Sequence, residues 1–234
     1  MASTSEATFG SKLNNAETLA THLQAFTDYV AQTPDQSVPS LLALIANIKA
    51  QNSTAAGNKQ DYSTAVDIRQ KLFNKDSDSL KKLLSPIGSA VRSAFDKTSK
   101  EAANIAALVT KIRGIKVKKE PKEPNQETVS QSERSFGSIT QTFADMIATL
   151  QKFGASYNPA NKQVTLAALT DKLAQLTTAN TNAPLAYGKL KQSRDDRNEL
   201  YKNLTNVTQR IKEAVKSQYT VGSTEYELIK SLRI

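Results

Sequence analysis

The stretch NSTAAGNKQDYSTAVDIRQKLF, residues 52–73, aligns without a gap with NTNAPLAYGKLKQSRDDRNELY, residues 180–201, which lies 128 positions later. Both stretches end in the pattern Asp-x-Arg-x-x-Leu followed by an aromatic residue. The residues that the two copies share at this end are Asp67, Arg69 and Phe73 in the first and Asp195, Arg197 and Tyr201 in the second.

The flanking sequence extends this match at slightly different offsets. Phe9 aligns with Phe136, 127 positions later, and AVRSAF (90–95) aligns with AVKSQY (214–219), 124 positions later. Offsets that change while the order is preserved are typical of a duplicated fold with insertions in its loops. The sequence therefore predicts two copies of one module.

Composition and periodicity predict that both modules are helical. Among 234 residues only 8 are Gly and 7 are Pro, and such a low content favours helices with short connections. Apolar residues recur every three or four positions, as an amphipathic helix requires. The residues expected to face the two cores are Phe9, Leu23, Phe26, Leu44 and Ile48, and then Phe136, Phe143, Leu150, Leu169 and Leu173.

We therefore predict an all-α fold of two tandem antiparallel helical bundles with four to five helices each. Module 1 covers residues 1–113 and module 2 covers residues 135–234. Residues 114–134 contain KVKKEPKEP, in which two prolines and alternating charges favour an extended linker. A phosphate-binding tail is the alternative for this segment, although its acidic residues nearly cancel its lysines.

Several boundaries are predicted inside each module. A polar patch, residues 52–58 in the first copy and 177–182 in the second, is expected to separate the second helix from the third. Pro86 is expected to bend or interrupt the fourth helix. Ser99 and Ser223, each with an acidic residue two positions later, are expected to cap the last helix of each copy.

No catalytic or metal-binding constellation is apparent. Cysteine is absent, and the single histidine, His22, has no acidic or imidazole company and is interpreted as an ordinary surface or boundary residue. Asp76 and Asp78 lack the glycine and the distant glutamate of a calcium loop, so a turn and helix cap is expected there. Without a glycine-rich phosphate loop either, the chain is predicted to be no enzyme and to require no metal or cofactor.

The repeated Asp and Arg side chains are the best polar candidates. Because Asp67 and Arg69 lie two positions apart on a helix, they point in different directions and are not expected to pair with each other. We interpret each as tying its helix to a neighbouring one by a salt bridge or a helix-end hydrogen bond, with contact to a ligand or partner as the alternative. Tyrosines of the second copy could stack nucleic-acid bases, but packing is the preferred interpretation; they are Tyr187, Tyr201, Tyr219 and Tyr226.

Charge and hydropathy bear on the partner and the compartment. The net charge is +9, but acidic residues are interleaved throughout, whereas a dedicated nucleic-acid binder concentrates its basic residues on one face. No stretch approaches the roughly 20 apolar residues that cross a bilayer, and the first residues do not have the pattern of a secretory signal. Membrane insertion is not expected, and the predicted location is cytoplasmic.

The chain resembles a group of uncharacterised helical proteins from Bacteroidota. The resemblance lies in the Ser-x-x-Glu-Arg-Ser-Phe motif at 130–136, the Tyr-Asn-Pro turn at 157–159 and the AVKSQY ending with Ser223 and Tyr226. It covers most of the second module and, more weakly, the first, where TPDQSVPS replaces the Tyr-Asn-Pro turn. The group implies no activity and no cofactor.

These observations predict a non-catalytic structural or protein-interaction protein. It would present two related helical surfaces to a protein partner or to copies of itself. A low-specificity nucleic-acid-binding protein that uses the diffuse positive charge is the main alternative. A third possibility, a bundle that binds a small ligand, requires a sizeable pocket between helices, and no small-molecule substrate is evident in the sequence.

Overall fold

Helices make up all the regular structure of the part of the chain that the computed structural model describes, residues 4–114 and 135–234. The prediction of an all-α protein is therefore confirmed for these residues. The first part contains α1 (Thr4–Ala25), α2 (Val38–Gln70), a π-helical turn (Lys71–Lys75), α3 (Leu80–Phe95) and α4 (Lys100–Arg113). The second contains α5 (Phe136–Lys152), α6 (Leu166–Tyr219) and α7 (Thr224–Lys230). The linker predicted at 114–134 lies, after Gly114, outside the described residues.

Helices α2 and α6 are longer than predicted, because both polar patches lie inside them. The threonines of the patches return their hydroxyl hydrogen bonds to the helix itself: Thr54 Oγ1 donates to the carbonyl of Ala50 at 3.1 Å, and Thr181 Oγ1 to that of Thr177 at 3.1 Å. Such bonds satisfy the side chain without ending the helix. The predicted helix boundaries at these patches were wrong.

The two sequence halves differ in structure at the point where the offset of their alignment changes from 128 to 124 residues. In the first half the chain passes through the π-helical turn and leaves the helix at Asp76 before α3 begins at Leu80. In the second half α6 continues to Tyr219 without a break. The four additional residues of the first half thus fall at this turn. Pro86 does not interrupt α3, which is continuous from Leu80 to Phe95.

The contacts divide the chain into two compact units, and each unit draws on both sequence halves. Unit 1 contains residues 1–60 and 187–234, and unit 2 contains residues 61–186. Helices α2 and α6 each contribute one part to each unit, because they continue through the polar patches. These boundaries do not coincide with the predicted modules 1–113 and 135–234.

Unit 1 has its own apolar core, formed by α1, the first part of α2, the second part of α6, and α7. Leu23 and Ile48 are buried in it, and Phe9, Phe26 and Leu44 pack against it, as predicted. The completely buried residues at its centre include Leu19, Leu41, Leu204, Ile211 and Ile229.

Unit 2 has a second core, in which α4 packs against both α3 and α5. Phe143, Leu150 and Leu169 are buried in it, and Phe136 and Leu173 pack against it, again as predicted. The apolar residues predicted to face inward therefore lie in or against a core in both units, although each core combines residues of both sequence halves.

The predicted helix caps are confirmed in both units. Ser99 Oγ accepts a hydrogen bond from the backbone N–H of Ala102 at 3.1 Å, and Ser223 Oγ from that of Tyr226 at 3.2 Å. The acidic residues Glu101 and Glu225 lie in the first turns of α4 and α7, where negative charge interacts favourably with the helix dipole.

Candidate functional site

In unit 1, the repeated residues of the second half form a stack with Phe9 of α1. The guanidinium carbon of Arg197 lies 4.8 Å from the centre of the Phe9 ring, and the rings of Phe9 and Tyr201 are stacked with their centres 4.4 Å apart. Tyr201 is buried, and its hydroxyl accepts a hydrogen bond from Asn52 Nδ2 at 3.0 Å. The stack thus joins α1, α2 and α6.

Unit 2 contains the corresponding stack, in which the two sequence halves exchange roles. The guanidinium carbon of Arg69 lies 4.4 Å from the centre of the Phe136 ring. Phe73 meets the same ring edge-on, with the ring centres 4.7 Å apart. An arginine of one half therefore covers an aromatic ring of the other half in both units, an arrangement that contributes about 0.5–2 kcal/mol per cation–π contact.

The arginine of each stack has a buried side-chain nitrogen that makes no hydrogen bond among the described residues. Nε of Arg69 and Nε of Arg197 are buried, and neither has a hydrogen-bond partner among the described residues. Both arginines contact the neighbouring helix through a ring face. The sequence predicted a salt bridge or a helix-end hydrogen bond at these arginines, and the contacts found here are with ring faces instead.

The repeated aspartates do not join neighbouring helices. Asp67 forms ion pairs with Lys71 at 2.8 Å and Lys75 at 3.3 Å, both on the same continuous stretch of chain. Hydrogen bonds from these lysines lower the pKa of the Asp67 carboxyl. Asp195 is exposed at the edge of a surface groove. The interpretation of Asp67 as a tie to another helix was wrong, because its lysine partners come from its own segment.

A second repeated contact, which the sequence reasoning missed, fixes the start of α2 and α6. Tyr29 donates its hydroxyl hydrogen bond to the carbonyl of Gln36 at 2.9 Å, and Tyr157 donates to that of Val164 at 2.7 Å. Burial raises the pKa of both phenols to about 12. The sequence signal that could have indicated this contact is the tyrosine that both halves carry at aligned positions, Tyr29 and Tyr157. Each lies seven residues before the residue whose carbonyl it binds.

A further aromatic pair occurs in both units with exchanged roles. The ring centres of Phe26 and Tyr219 lie 5.7 Å apart in unit 1, and those of Phe95 and Phe153 lie 4.9 Å apart in unit 2. Tyr201 and Tyr219 are therefore packing residues, as the preferred interpretation holds, while Tyr187 is exposed.

The remaining sequence candidates lie apart from these stacks. His22 is half-buried in the last turn of α1. Asp78 pairs at 2.6 Å with Lys172, whose side chain is only 7% exposed, and the hydrogen bond from Lys172 lowers the pKa of Asp78. The turn expected at Asp76 is present, and in addition Asp78 neutralises a buried lysine, which the sequence did not indicate.

Among the described residues, grooves open at two or more places on the surface of unit 1. The larger, which we call the Gln36 groove, has a volume of about 750 Å³. It lies between the segment that precedes α2, the end of α6 and α7. Its lining includes Gln36, Arg210, Lys212, Glu213, Tyr226 and Lys230. The smaller groove, of about 640 Å³, lies beside the Phe9–Tyr201 stack.

In residues 4–114 and 135–234, no three or more His, Cys, Asp or Glu side chains are grouped so that they could hold a metal ion. Across the same residues no helix is both long and apolar enough to cross a membrane. Comparison of the chain with family models, curated proteins and solved structures finds no match. The resemblance to helical proteins of Bacteroidota stays a prediction.

Proposed function

We propose that the chain is a non-catalytic structural or interaction protein whose two halves are copies of one module. It presents two related helical surfaces to a protein partner or to a second copy of itself. The observation that carries this proposal is the set of exchanged contacts. Phe9 meets Arg197 and Tyr201 in unit 1, and Phe136 meets Arg69 and Phe73 in unit 2.

The exchange supports an assembly function, because it makes each unit a product of two module copies. The same contacts between two separate copies of an ancestral module would form a symmetric dimer, in which every contact occurs twice. A duplicated chain keeps both copies at high effective concentration without a new contact. Two related faces on one chain then allow two partners, or two sites of one partner, to be engaged together.

A low-specificity nucleic-acid-binding function is the second candidate, and α3 is the observation that favours it. Helix α3 contains Lys81, Lys82 and Arg92 but no acidic residue. All three side chains are exposed, and no carboxylate among the described residues pairs with them. Phosphate contacts of this kind give affinity that falls steeply as the salt concentration rises.

Two measurements on the full chain decide between these functions. The first is the molecular mass in solution over a wide range of protein concentrations, by light scattering. The second is a titration of labelled duplex DNA at about 50 and 200 mM salt, between which phosphate-dominated affinity drops by orders of magnitude. We expect a concentration-dependent mass and no DNA binding at the lower salt.

A double variant sharpens the DNA measurement. Replacing Lys81 and Lys82 by Glu inverts the charge of α3 on its exposed face, and Lys189 with Lys191, also exposed and on α6, provides a matched control pair. A monomer at all concentrations, with salt-sensitive DNA binding that only the α3 variant abolishes, would replace the assembly function by the nucleic-acid one.

A further inference from the structure

Each unit has an end at which two connections between its helices meet. In unit 1 these are residues 26–37, between α1 and α2, and residues 220–227, which lead from α6 into α7. Gln218, near the end of α6, fixes the first of them. Its side-chain amide accepts a hydrogen bond from the N–H of Val30 at 3.0 Å and donates one to the Val30 carbonyl at 2.6 Å. We call these two segments the unit 1 end.

The aligned segments of the other half form the corresponding unit 2 end. They are residues 154–165, at the 128-residue offset, and residues 96–103, at the 124-residue offset. The aromatic ring pair of unit 2, with its centres 4.9 Å apart, lies where these segments meet. The inward-facing positions of the two ends correspond: Gln36 aligns with Val164, both are buried, and both accept a tyrosine hydrogen bond at their carbonyl. The two ends differ at their exposed positions.

The unit 1 end exposes two valines where the unit 2 end exposes polar side chains. Val30 is 66% exposed and Val221 is 71% exposed. The residues that align with them, Asn158 and Lys97, are exposed as well. The two hydrogen bonds from Gln218 fix the backbone of Val30, so that its side chain is held at the surface. A partner that covered these valines would remove apolar surface from water, which favours association.

The unit 1 end is acidic, with four carboxylates and no Lys or Arg. Two of the carboxylates are paired with cations of α6 and α7; these pairs are Asp35 with Arg210 and Glu227 with Lys230. The other two, Asp28 and Glu225, form no ion pair with a described residue. Lys216, in the last turn of α6, is already paired with Glu213 at 3.8 Å. Two carboxylates without a cation therefore lie on the same segments as the exposed valines.

The unit 2 end is basic. Its three lysines are exposed and make no ion pair with the described residues; they are Lys97, Lys100 and Lys162. Of its two acidic residues, Asp96 accepts hydrogen bonds from the N–H and the hydroxyl of Thr98 within its own turn, at 3.1 and 3.4 Å. Glu101 lies in the first turn of α4. Arg92 and Lys152, in the last turns of α3 and α5, add positive charge. The unpaired charges of the two ends are thus opposite in sign.

We propose that copies of the chain associate head to tail, with the unit 1 end of one copy on the unit 2 end of the next. The methylene stem of Lys97 covers an exposed valine. Its ammonium group and that of Lys100 face the unpaired carboxylates of the unit 1 end. Contact between two identical ends is disfavoured, because it would bring like charges together. A contact between different surfaces leaves one of each free, so that further copies add. This inference rests on the proposed assembly function and names its partner and both surfaces.

The first test concerns the unit 1 end. A triple variant, Asp28→Ser with Val30→Asn and Val221→Lys, introduces the residues that the other half carries at the aligned positions, so it should fold. Light scattering from about 1 μM to about 1 mM covers the range of weak association. We expect the mass of wild type to rise beyond that of a dimer and the variant to stay monomeric. Association of wild type should be at least about tenfold weaker at 500 mM than at 50 mM salt, because salt screens exposed charges.

The second test concerns the unit 2 end. The variant Lys97→Glu with Lys100→Glu inverts its charge and should also stay monomeric. Lys189→Glu with Lys191→Glu makes the same change of net charge on exposed residues of α6 outside both ends. This control variant should associate as wild type does.

Mixing the two end variants tests the head-to-tail arrangement itself. Each variant retains the end that the other has lost, so one contact remains available between them. An equimolar mixture should therefore form a dimer and stop there, although neither variant associates alone. A contact between two identical ends predicts no such dimer.

Several results would overturn this arrangement. They are a monomeric wild type at all concentrations, an end variant that associates like wild type, a control variant that loses association, and a mixture that stays monomeric. Association of wild type that neither end variant weakens would leave the assembly function standing through another surface. A constant monomer mass together with salt-sensitive DNA binding would refute the assembly function as well. Circular dichroism checks the helical content of each variant, and if the triple variant loses helix, Val221→Lys alone should weaken association at least about tenfold, since it places an ammonium group against those of the unit 2 end.

Discussion

Replacing Tyr157 by Phe should destabilise the protein more than replacing Tyr29 by Phe. Each substitution removes one hydroxyl that donates to the backbone carbonyl seven residues later, at 2.7 Å for Tyr157 and 2.9 Å for Tyr29. The two contacts differ in their access to water. Tyr157 is 5% exposed and its acceptor residue Val164 is completely buried, whereas Tyr29 is half-buried.

The expected magnitudes follow from this difference in burial. A buried carbonyl that loses its donor and cannot reach water costs about 1–3 kcal/mol, so Tyr157→Phe should lower the free energy of unfolding by about 2 kcal/mol. Water can replace part of the bond near Tyr29, so Tyr29→Phe should cost about 0.5–1 kcal/mol, the net value of an ordinary hydrogen bond. For a chain of this length, 1 kcal/mol corresponds to a shift in Tm of roughly 2–4 °C.

Urea unfolding followed by circular dichroism measures both variants, and hydrogen exchange read by mass spectrometry shows which unit is weakened. Protection should fall in residues 61–186 for Tyr157→Phe and in residues 1–60 and 187–234 for Tyr29→Phe. Equal effects of the two substitutions, or a larger effect of Tyr29→Phe, would refute the argument that buried carbonyls depend on these hydroxyls.

The same tyrosine gives a prediction at alkaline pH. The pKa of Tyr157 is raised by burial from 10.0 to about 12, so the folded protein favours the neutral phenol. This contribution to stability is complete below pH 10 and is lost as the pH rises from 10 towards 12. Tyr157→Phe lacks the titrating group, so its stability relative to wild type should increase over this window. A constant difference between the two proteins from pH 9 to about 11.5 would contradict this linkage.

Three further predictions concern the ion pair between Asp78 and Lys172, the buried position of Val164, and the pairing of the two sequence halves within each unit. Asp78→Asn should lower the free energy of unfolding by about 1–3 kcal/mol, because it leaves the buried ammonium of Lys172 unpaired. Lys172→Met should be neutral or stabilising, and it should reduce the loss of stability that occurs as the pH falls through the lowered pKa of Asp78. Thermal unfolding from pH 7 to about 2 measures both effects. Val164→Gln should cost about 2–4 kcal/mol in urea unfolding, because it places an amide in a completely buried apolar site; an unchanged midpoint would contradict the comparison between the halves. Fragments 1–114 and 135–234, expressed separately, should fold only by pairing with each other or with a second copy of themselves, as light scattering would show; two stable folded monomers would restore the tandem arrangement predicted from sequence.

The local features of the fold were predictable because they depend on residues that are close in sequence. Three- and four-residue spacing placed Phe143 and Leu150 in a core, and serine followed by an acidic residue located the caps at Ser99 and Ser223. Helix continuity through the polar patches was not predicted, because the threonines satisfy their hydroxyls on carbonyls of the same helix. The polar composition of residues 52–58 and 177–182 suggested helix ends there, whereas α2 and α6 are continuous through them.

The candidate sites were predicted less completely, since their contacts join residues far apart in sequence. Arg69 and Arg197 were noted as repeated residues, but their aromatic partners could not be read from spacing. Gln36 appears in the sequence as an ordinary residue of a polar turn. Only its burial, its lack of a donor and the valine at the corresponding position distinguish it.

The sequence by itself determined that this protein is helical and where its apolar faces lie, because periodicity and capping are properties of the linear chain. The correspondence between positions of its two halves is a prediction from the alignment. Only the tertiary structure decided which half completes which core. Helices α2 and α6 pass through the polar patches and carry the second part of each half into the unit that contains the first part of the other. That outcome depends on the burial of apolar surface between segments more than 100 residues apart, such as Phe9 and Tyr201, and this burial is set by packing in three dimensions.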